Sequence, residues 1–354
     1  MAEVRRQART GRAVVVSDFW FGATARDLAD GLRLCGWDVA EVDLFDYVLI
    51  SDLPAIKLAG RFLNKFSAGA YGRAILRAAS NIDADLMLTV KGSYLRADTL
   101  RTLAKRGVFR ANLYPDFHFD HPEFDEALFH DYDFVATTKS FQVEHLANLI
   151  GPERVAYVPH GYSGLIHHDR PFLDEDQLRW DIGYAGNASA HKRDWLLAVA
   201  RAFPDRSMRI VGGGWTALAK GTELEPFVLG HALTGDFFAR FIQECRINLA
   251  VHFGEHKQGG WQDLTSTRTF EIPAYRGFML HVDNPEVRTL FDVGSEIDVF
   301  DSQQQLIERI SFYLDRPELR RAMIKRAHAR CVPAYSVQTR AAELDRLIRP
   351  RLKR

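Results

Sequence analysis

The sequence predicts an α/β protein with two Rossmann-like domains, each built on a parallel sheet. Short apolar runs rich in β-branched residues alternate with amphipathic helical stretches along most of the 354 residues. The alternation is interrupted once, by a histidine-containing and acidic stretch at 161–178. Since a chain of this length holds two full cores, we predict domains at 1–160 and 179–335, a linker at 161–178 and a terminal helix at 336–354 that packs back on the first domain.

Composition limits the partners and the compartment. Lysine plus arginine equals aspartate plus glutamate at 46 each, so no overall positive field recruits nucleic acid. No apolar run reaches the roughly 20 residues of a membrane helix, and no apolar segment of signal-peptide length precedes Ser17. The three cysteines are far apart and odd in number, which fits a reduced compartment. These observations predict a cytoplasmic protein.

The first half begins as an alternation of strands and helices. Strands are predicted at 13–17, 38–43, 85–90, 109–114, 133–138 and 155–158. Helices are predicted at 24–35, 54–81, 96–105 and 139–149. Because no Gly-x-Gly-x-x-Gly follows the first strand, a dinucleotide site has no support here.

The loop after the strand at 109–114 carries four titratable residues: Asp116, His118, Asp120 and His121. The carboxyl end of a parallel strand is where a catalytic base is expected. We therefore take Asp116 as the candidate base, with His118 second. A structural loop and a metal site are the alternatives, and alternating aspartates and histidines in one loop are a weak metal signature.

Both ends of the chain are basic. Four arginines lie within residues 1–12, and 349–354 contain three arginines and a lysine. These termini are candidates for peripheral contact with anionic lipid, and solvated ends are the alternative.

The second half repeats the alternation. Strands are predicted at 180–184, 208–211, 226–229, 247–253 and 278–282. Helices are predicted at 195–202, 234–244, 302–314, 317–331 and 336–348, with another that carries Arg268 and ends at Gly277 as its C-cap. The small-residue loop at 186–193 precedes a helix, where free backbone donors and the helix dipole suit a diphosphate and Lys192 adds charge. A plain connection is the alternative.

Arg268 and Glu271 lie three residues apart on one helical face. An arginine grips phosphate oxygens, and a glutamate accepts hydrogen bonds from a sugar diol, so the pair suits a nucleotide sugar. A surface ion pair is the alternative from spacing alone.

The wider motif around this pair resembles the signature of the glycosyltransferases related to spore maturation protein B. In those proteins an Arg-x-Phe-Glu-x-x-Ala helix precedes Gly-Phe-x-Leu, then an acidic helix and a Gly-x-Glu turn. Here the motif comprises Thr267–Leu280, Asn284–Val287, Leu290–Phe291, Gly294–Glu296 and Val299–Asp301. The resemblance implies the GT-B architecture, two Rossmann-like domains facing across a cleft, and metal-independent sugar transfer from a nucleotide-diphosphate sugar without another cofactor.

The resemblance also implies roles for single residues. Arg268 and Lys192 would neutralise the departing diphosphate, Glu271 would hold the ribose, and Val228 would wall the nucleobase. Asn187 and Thr267 complete the predicted donor-binding set. The acceptor would be a glycan, a lipid-linked group or a protein. In better-known retaining relatives two glutamates separated by seven residues occupy this region, whereas Asp263 stands at the first position here, which leaves the stereochemistry open.

Two other functions are compatible with this fold: a nucleotide-sugar epimerase and a non-catalytic carbohydrate-binding protein.

Overall fold

A computed structural model describes residues 11–49, 54–166, 171–254 and 260–352, apart from side chains at 54–63, 65 and 66. Contacts divide the chain into two compact units. The first comprises Met1–Pro159 and Gln338–Arg354, and the second comprises His160–Val337. The described residues of the stretch predicted as a linker belong to the second unit, where Tyr162 is buried and bridges to Ser336.

The first unit is a six-stranded parallel sheet with helices. Its elements are β1 (Gly11–Ser17), α1 (Thr24–Leu34), β2 (Trp37–Asp43), α2 (Pro54–Asn81), β3 (Leu86–Val90), α3 (Ala97–Lys105), β4 (Phe109–Tyr114), β5 (Phe134–Thr137), α4 (Gln142–Ile150) and β6 (Val155–Tyr157). The strand order is β2-β1-β3-β4-β5-β6, and every neighbouring pair is parallel. All five residues of β3 are buried, as expected for a sheet covered on both faces.

The second unit is a five-stranded parallel sheet, in the order β11-β10-β9-β7-β8. Its elements are β7 (Trp180–Ala185), α5 (Ala190–Ala202), β8 (Met208–Val211), α6 (Trp215–Leu218), α7 (Gly235–Glu244), β9 (Cys245–Ala250), α8 (Thr267–Ala274), β10 (Met279–Val282), α9 (Pro285–Leu290), β11 (Asp298–Phe300), α10 (Gln303–Leu314) and α11 (Pro317–Cys331). The chain then continues into α12 (Val337–Ile348).

In each sheet the order in which successive strands are added reverses at one strand. In the first unit β2 and β3 lie on opposite sides of β1, and in the second unit β8 and β9 lie on opposite sides of β7. The carboxyl ends of the strands that flank such a switch point leave a crevice in which ligands of open α/β sheets bind. The fold therefore marks the ends of β1 and β3, and of β7 and β9, as candidate sites.

The strand predicted at 226–229 is wrong. Glu225–Phe227 is a turn of 3-10 helix, and Val228 alone forms a bridge, to Ile210. Pro226 lacks the backbone N–H that a strand within a ladder must donate. The helix predicted at 195–202 begins five residues earlier, because the Ser189 side chain caps it by accepting from Lys192 N.

The end of α8 also differs from the prediction, because Gly277 is not the left-handed residue. That conformation belongs to Arg276, with φ 63°. Arg276 N donates to Pro273 O at 3.2 Å and Gly277 N to Ile272 O at 2.8 Å, the two bonds of a Schellman motif. Glycine is needed at 277 for space, since a Cβ there would lie 2.6 Å from Ile242 Cγ2.

The terminal helix α12 packs within the first unit. Trp37 Nε1 donates to Asp345 Oδ1 at 2.7 Å, and Ala341 lies against α1, where a Cβ on Gly31 would come within 2.5 Å of the Ala341 Cβ. Two arginines of the basic tail also bond within this unit. Arg349 Nη2 donates to Cys35 O, and Arg351 Nη2 donates to Glu153 O.

Membrane contact through the termini stays a prediction, and residues 1–10 and 353–354 lie outside the described residues. No helix in the described part of the chain is long and apolar enough to cross a membrane.

We expect Gly31→Ala to lower the free energy of unfolding of the first unit by about 1 to 3 kcal/mol, although alanine is normally the better helix residue. The reason is the close approach of α12. Gly69→Ala in α2 is the matched control, because Arg73 Nη1, at 3.6 Å, is the one atom within 4 Å of its added Cβ among the residues that the structure describes. Urea unfolding should show a loss for the first variant and a gain of up to about 1 kcal/mol for the second. Equal gains would contradict the packing of α12 on α1.

Candidate active site

The first turn of α8 is held by a reciprocal cap. The Ser266 hydroxyl accepts from Arg268 N at 3.3 Å, and the Thr269 hydroxyl accepts from Ser266 N at 3.2 Å. This capping box satisfies two backbone donors and fixes where the helix starts. The positive end of the helix dipole lies at this start, which favours an anion there.

Arg268 connects this helix to the switch point of the second sheet. Its Nε donates to the carbonyl of Ala185, the last residue of β7, at 2.9 Å. Its guanidinium lies over the Phe238 ring at 4.3 Å, and its Nη1 forms an ion pair with Glu271. The Arg268 side chain keeps 29% exposure and that of Glu271 12%. A ligand that takes either charge therefore exchanges this ion pair for its own contacts.

The loop that follows β7 carries Asn187, and the first turn of α5 after it carries Lys192. The Lys192 ammonium is almost buried, donates to Asn187 O at 3.1 Å, and lies 3.8 Å from the centre of the Phe253 ring. The Asn187 side chain accepts from Gly213 N at 3.1 Å and so joins this loop to the one after β8. The two loops are in close contact, since a Cβ on Gly212 would lie 2.1 Å from Gly186 O.

In the first unit, the carboxyl ends of β3 and β4 carry a cluster of charges. Lys91 Nζ lies 2.9 Å from both Asp116 Oδ2 and Glu123 Oε1. His121 Nε2 lies 3.1 Å from the same Asp116 oxygen, and the ring of His118 stacks on that of His121 with centroids 4.4 Å apart. We call these five residues the β3–β4 cluster.

The β3–β4 cluster keeps its carboxylates ionised. Burial acts to raise the pKa of Asp116, but His121 and the Lys91 ammonium outweigh it and hold that pKa well below its usual range. Burial likewise acts to lower the pKa of Lys91, and the two carboxylates raise it instead. An ionised, ion-paired Asp116 is a poor proton acceptor near neutral pH.

A family model described as glycosyl transferase-like matches residues 170–346, half of the chain. The chain belongs to this family. Its recognition as a glycosyltransferase of the group 1 superfamily, and as an enzyme, is thereby confirmed. The matched residues contain α8 and the loops after β7 and β8.

Three solved structures show the same fold. Sucrose-phosphate synthase from Thermosynechococcus elongatus matches with a TM-score of 0.67 and 14% identity, over 96% of this chain and 98% of that chain. HepE from Anabaena, in complex with UDP-glucose, gives 0.62 and 12%, over 96% and 99%. A putative UDP-N-acetylglucosamine 2-epimerase from Listeria monocytogenes gives 0.53 and 11%, over 97% and 96%. The predicted GT-B fold class is confirmed.

Identities this low show the fold alone, and the fold is shared with an epimerase. No curated protein matches the sequence of this glycosyltransferase.

The structure brings together most of the predicted donor-binding residues. Thr267, Arg268 and Glu271 share the first turns of α8, and the Thr267 hydroxyl accepts from Arg268 Nη1 at 3.3 Å. Asn187 and Lys192 lie a short way along the chain after Ala185, to which Arg268 is bonded. Val228 bridges to Ile210 of β8. β8 is the neighbour of β7 on the side opposite β9, the strand that precedes α8. The predicted catalytic residues Asp116 and His118 belong to the first unit.

Sequence reasoning missed two buried histidines beneath α8. His252 follows β9 and His281 lies in β10, with their Nε2 atoms 2.9 Å apart. The Thr269 hydroxyl is also 2.9 Å from His281 Nε2. Burial lowers the pKa of His281 to about 4, so this residue is neutral at physiological pH. The sequence signal that could have found them is a single histidine within each of two apolar runs, Val251–Phe253 and Leu280–Val282.

The described residues contain no group of three or more His, Cys, Asp or Glu that could hold a metal ion. The Asp116–His121 loop, for which a metal site was an alternative, lies wholly within the described part of the chain.

We expect Lys91→Met to raise the pKa of Asp116, because burial then acts without the ammonium that opposes it. A depressed carboxyl pKa stabilises the fold above the unfolded value of about 3.9 and loses that effect as pH falls through the folded value. Acid unfolding of the variant should therefore begin at higher pH. Carbon-13 NMR titration of the aspartates checks the pKa, and the exposed Lys105→Met is the control. If the pKa of Asp116 does not shift, His121 rather than Lys91 keeps this carboxyl ionised.

Proposed function

We propose that this glycosyltransferase moves a sugar from a nucleoside diphosphate sugar to an acceptor hydroxyl, and that its second unit holds the donor at the start of α8. The observation that carries the proposal is Arg268, bonded to the end of β7 at the switch point and aligned with the positive end of α8. A diphosphate needs a fixed cation with the fork of an arginine and the positive end of a helix dipole, and this place offers both.

The donor site supplies charge without a metal in this proposal. The Arg268 guanidinium, the start of α8 and the nearby Lys192 ammonium stabilise the negative charge that develops as the diphosphate leaves. Glu271, one turn after Arg268, accepts from the ribose hydroxyls. HepE was solved with UDP-glucose, which supports UDP-sugars as the first donors to test.

We assign the acceptor to the β3–β4 cluster of the first unit. The acceptor hydroxyl loses its proton to one of the stacked imidazoles, His118 or His121, if the reaction inverts the sugar. Asp116 orients His121 and stabilises the imidazolium, while Lys91 keeps Asp116 ionised. The predicted role of Asp116 as the base itself thus passes to its histidine neighbours.

The test of this function is turnover of a panel of UDP-sugars in EDTA. Free UDP should appear only when an acceptor is added, for which we would use pooled oligosaccharides and lipid-linked sugars. Arg268→Ala should weaken UDP binding in calorimetry by roughly 1.5 to 3 kcal/mol, and Arg268→Lys should not restore it, because lysine lacks the bidentate fork. Arg288→Ala, an exposed arginine in the same unit paired with Asp283, is the control and should bind normally.

Three results would contradict parts of the proposal. Conversion of the sugar without an acceptor would favour the epimerase, and binding without any turnover would favour a carbohydrate-binding protein. A complete loss of activity in EDTA that magnesium reverses would remove the metal-independent mechanism.

Glu271→Gln should separate nucleoside binding from phosphate binding. Glutamine keeps the shape but loses the charge that two ribose hydroxyls favour, so UDP affinity should fall by about 1 to 3 kcal/mol while inorganic pyrophosphate binds as before. Calorimetry with both ligands is the measurement. If Glu271 acts only as the partner of Arg268, both affinities should fall together and the melting temperature without ligand should drop.

A further inference from the structure

A chain of buried polar groups lies beneath the first turn of α8. Ser266 N donates to the Thr269 hydroxyl, this hydroxyl lies 2.9 Å from His281 Nε2, and His281 Nε2 lies 2.9 Å from His252 Nε2. Thr269 and His281 are fully buried, and His252 is 5% exposed. Burying these three polar side chains together is costly unless each is satisfied, so the arrangement of their hydrogens is constrained.

The geometry fixes the protonation of His281. Its Nδ1 lies 2.7 Å from the carbonyl oxygen of Val282, which can only accept, so Nδ1 carries the hydrogen. Its Nε2 is then an acceptor with a single lone pair, which the hydroxyl of Thr269 and the Nε2–H of His252 share as donors. The Thr269 hydroxyl consequently points its hydrogen at His281 and a lone pair at Ser266 N, which is the orientation that the capping box needs.

This orientation reaches Arg268 within one residue. Ser266, whose backbone N–H is held by Thr269, caps the backbone N–H of Arg268 with its own hydroxyl. The start of the helix is thus fixed from below by His281 and from the side by the bond between Arg268 and Ala185. A functional group held by such supporting bonds keeps the geometry that tight binding of a charged ligand requires.

We propose that His281, with His252 as the second donor to its Nε2, is a positioning residue for the donor diphosphate: it fixes the Thr269 hydroxyl and through it the first turn of α8. The inference rests on the proposed function, because it concerns the same diphosphate site. In this proposal His281 is a neutral hydrogen-bond acceptor that does not contact the ligand, and it acts on the ligand by positioning the helix. Loss of the His281 acceptor should therefore lower the affinity for the diphosphate while it changes the melting temperature little.

The experiment is calorimetry with UDP on the full chain, using pairs of substitutions. Glutamine carries its terminal amide at the position of Nε2, so His281→Gln keeps an acceptor for Thr269, whereas His281→Asn is too short to reach it. We expect His281→Asn to lose at least about tenfold in UDP affinity and His281→Gln to stay within about threefold of the parent. A tenfold loss is about what one hydrogen bond between neutral groups contributes. Thr269→Val and Thr269→Ser form a second pair with the same expected contrast.

His328→Gln is the matched control. This histidine packs on the other end of α8, with Nδ1 3.2 Å from Pro273 O and Nε2 3.4 Å from Arg276 Nε. It should lower the melting temperature without changing UDP affinity. Melting temperatures of all variants show whether a loss of binding merely follows a loss of stability.

Each outcome has one meaning. Parent-like binding by His281→Asn and Thr269→Val overturns the inference and leaves the proposed function intact. An equal loss in His281→Gln, Thr269→Ser and His328→Gln also overturns it, because the effect is then general destabilisation. Absence of UDP binding by the parent chain overturns the proposed donor site, and this inference with it.

Discussion

The hydrogen bond from Arg268 to the carbonyl of Ala185 is the contact on which the candidate donor site depends. It joins the start of α8 to the end of β7, two elements separated by 83 positions in the chain. Parallel strands make this possible, because all of their carboxyl ends lie at one edge of the sheet. The bond uses Nε, while Nη1 contacts Thr267 and Glu271. The orientation of the arginine is thus set by the protein itself.

Most elements of the fold follow from hydrophobic periodicity and from helix end signals. The helix at 54–81 and the strands at 109–114 and 208–211 have the predicted bounds, since their sequences carry apolar patterns that end at clear breaks. The segment at 226–229 misled because its apolar residues pack against the core without joining the ladder. The spacing of apolar residues in a sequence therefore predicts which side chains are buried better than it predicts which backbone groups join a sheet.

The candidate site was predictable where charge and spacing lie on one element, as for Arg268 and Glu271. It was not predictable where partners come from distant strands. Nothing in the local sequence pairs His252 with His281, which are 29 residues apart. The same holds for Lys91 and Asp116, whose ion pair helps to hold the pKa of this carboxyl low. Lys91 also adopts a left-handed backbone with φ 64°, a conformation that sequence gives no reason to expect from a lysine.

The first unit is discontinuous in the chain, and this has a consequence for biosynthesis. Its sheet is complete by residue 159, yet Ala341, Leu344 and Ile348 of α12, which are buried, leave the ribosome after the whole of the second unit. Domains generally fold in the order in which they are made. Here the unit whose strands emerge first is finished last, and until then Trp37 and the Gly31 face of α1 lack their cover. A chain truncated before residue 337 would expose an apolar surface to aggregation and chaperone binding.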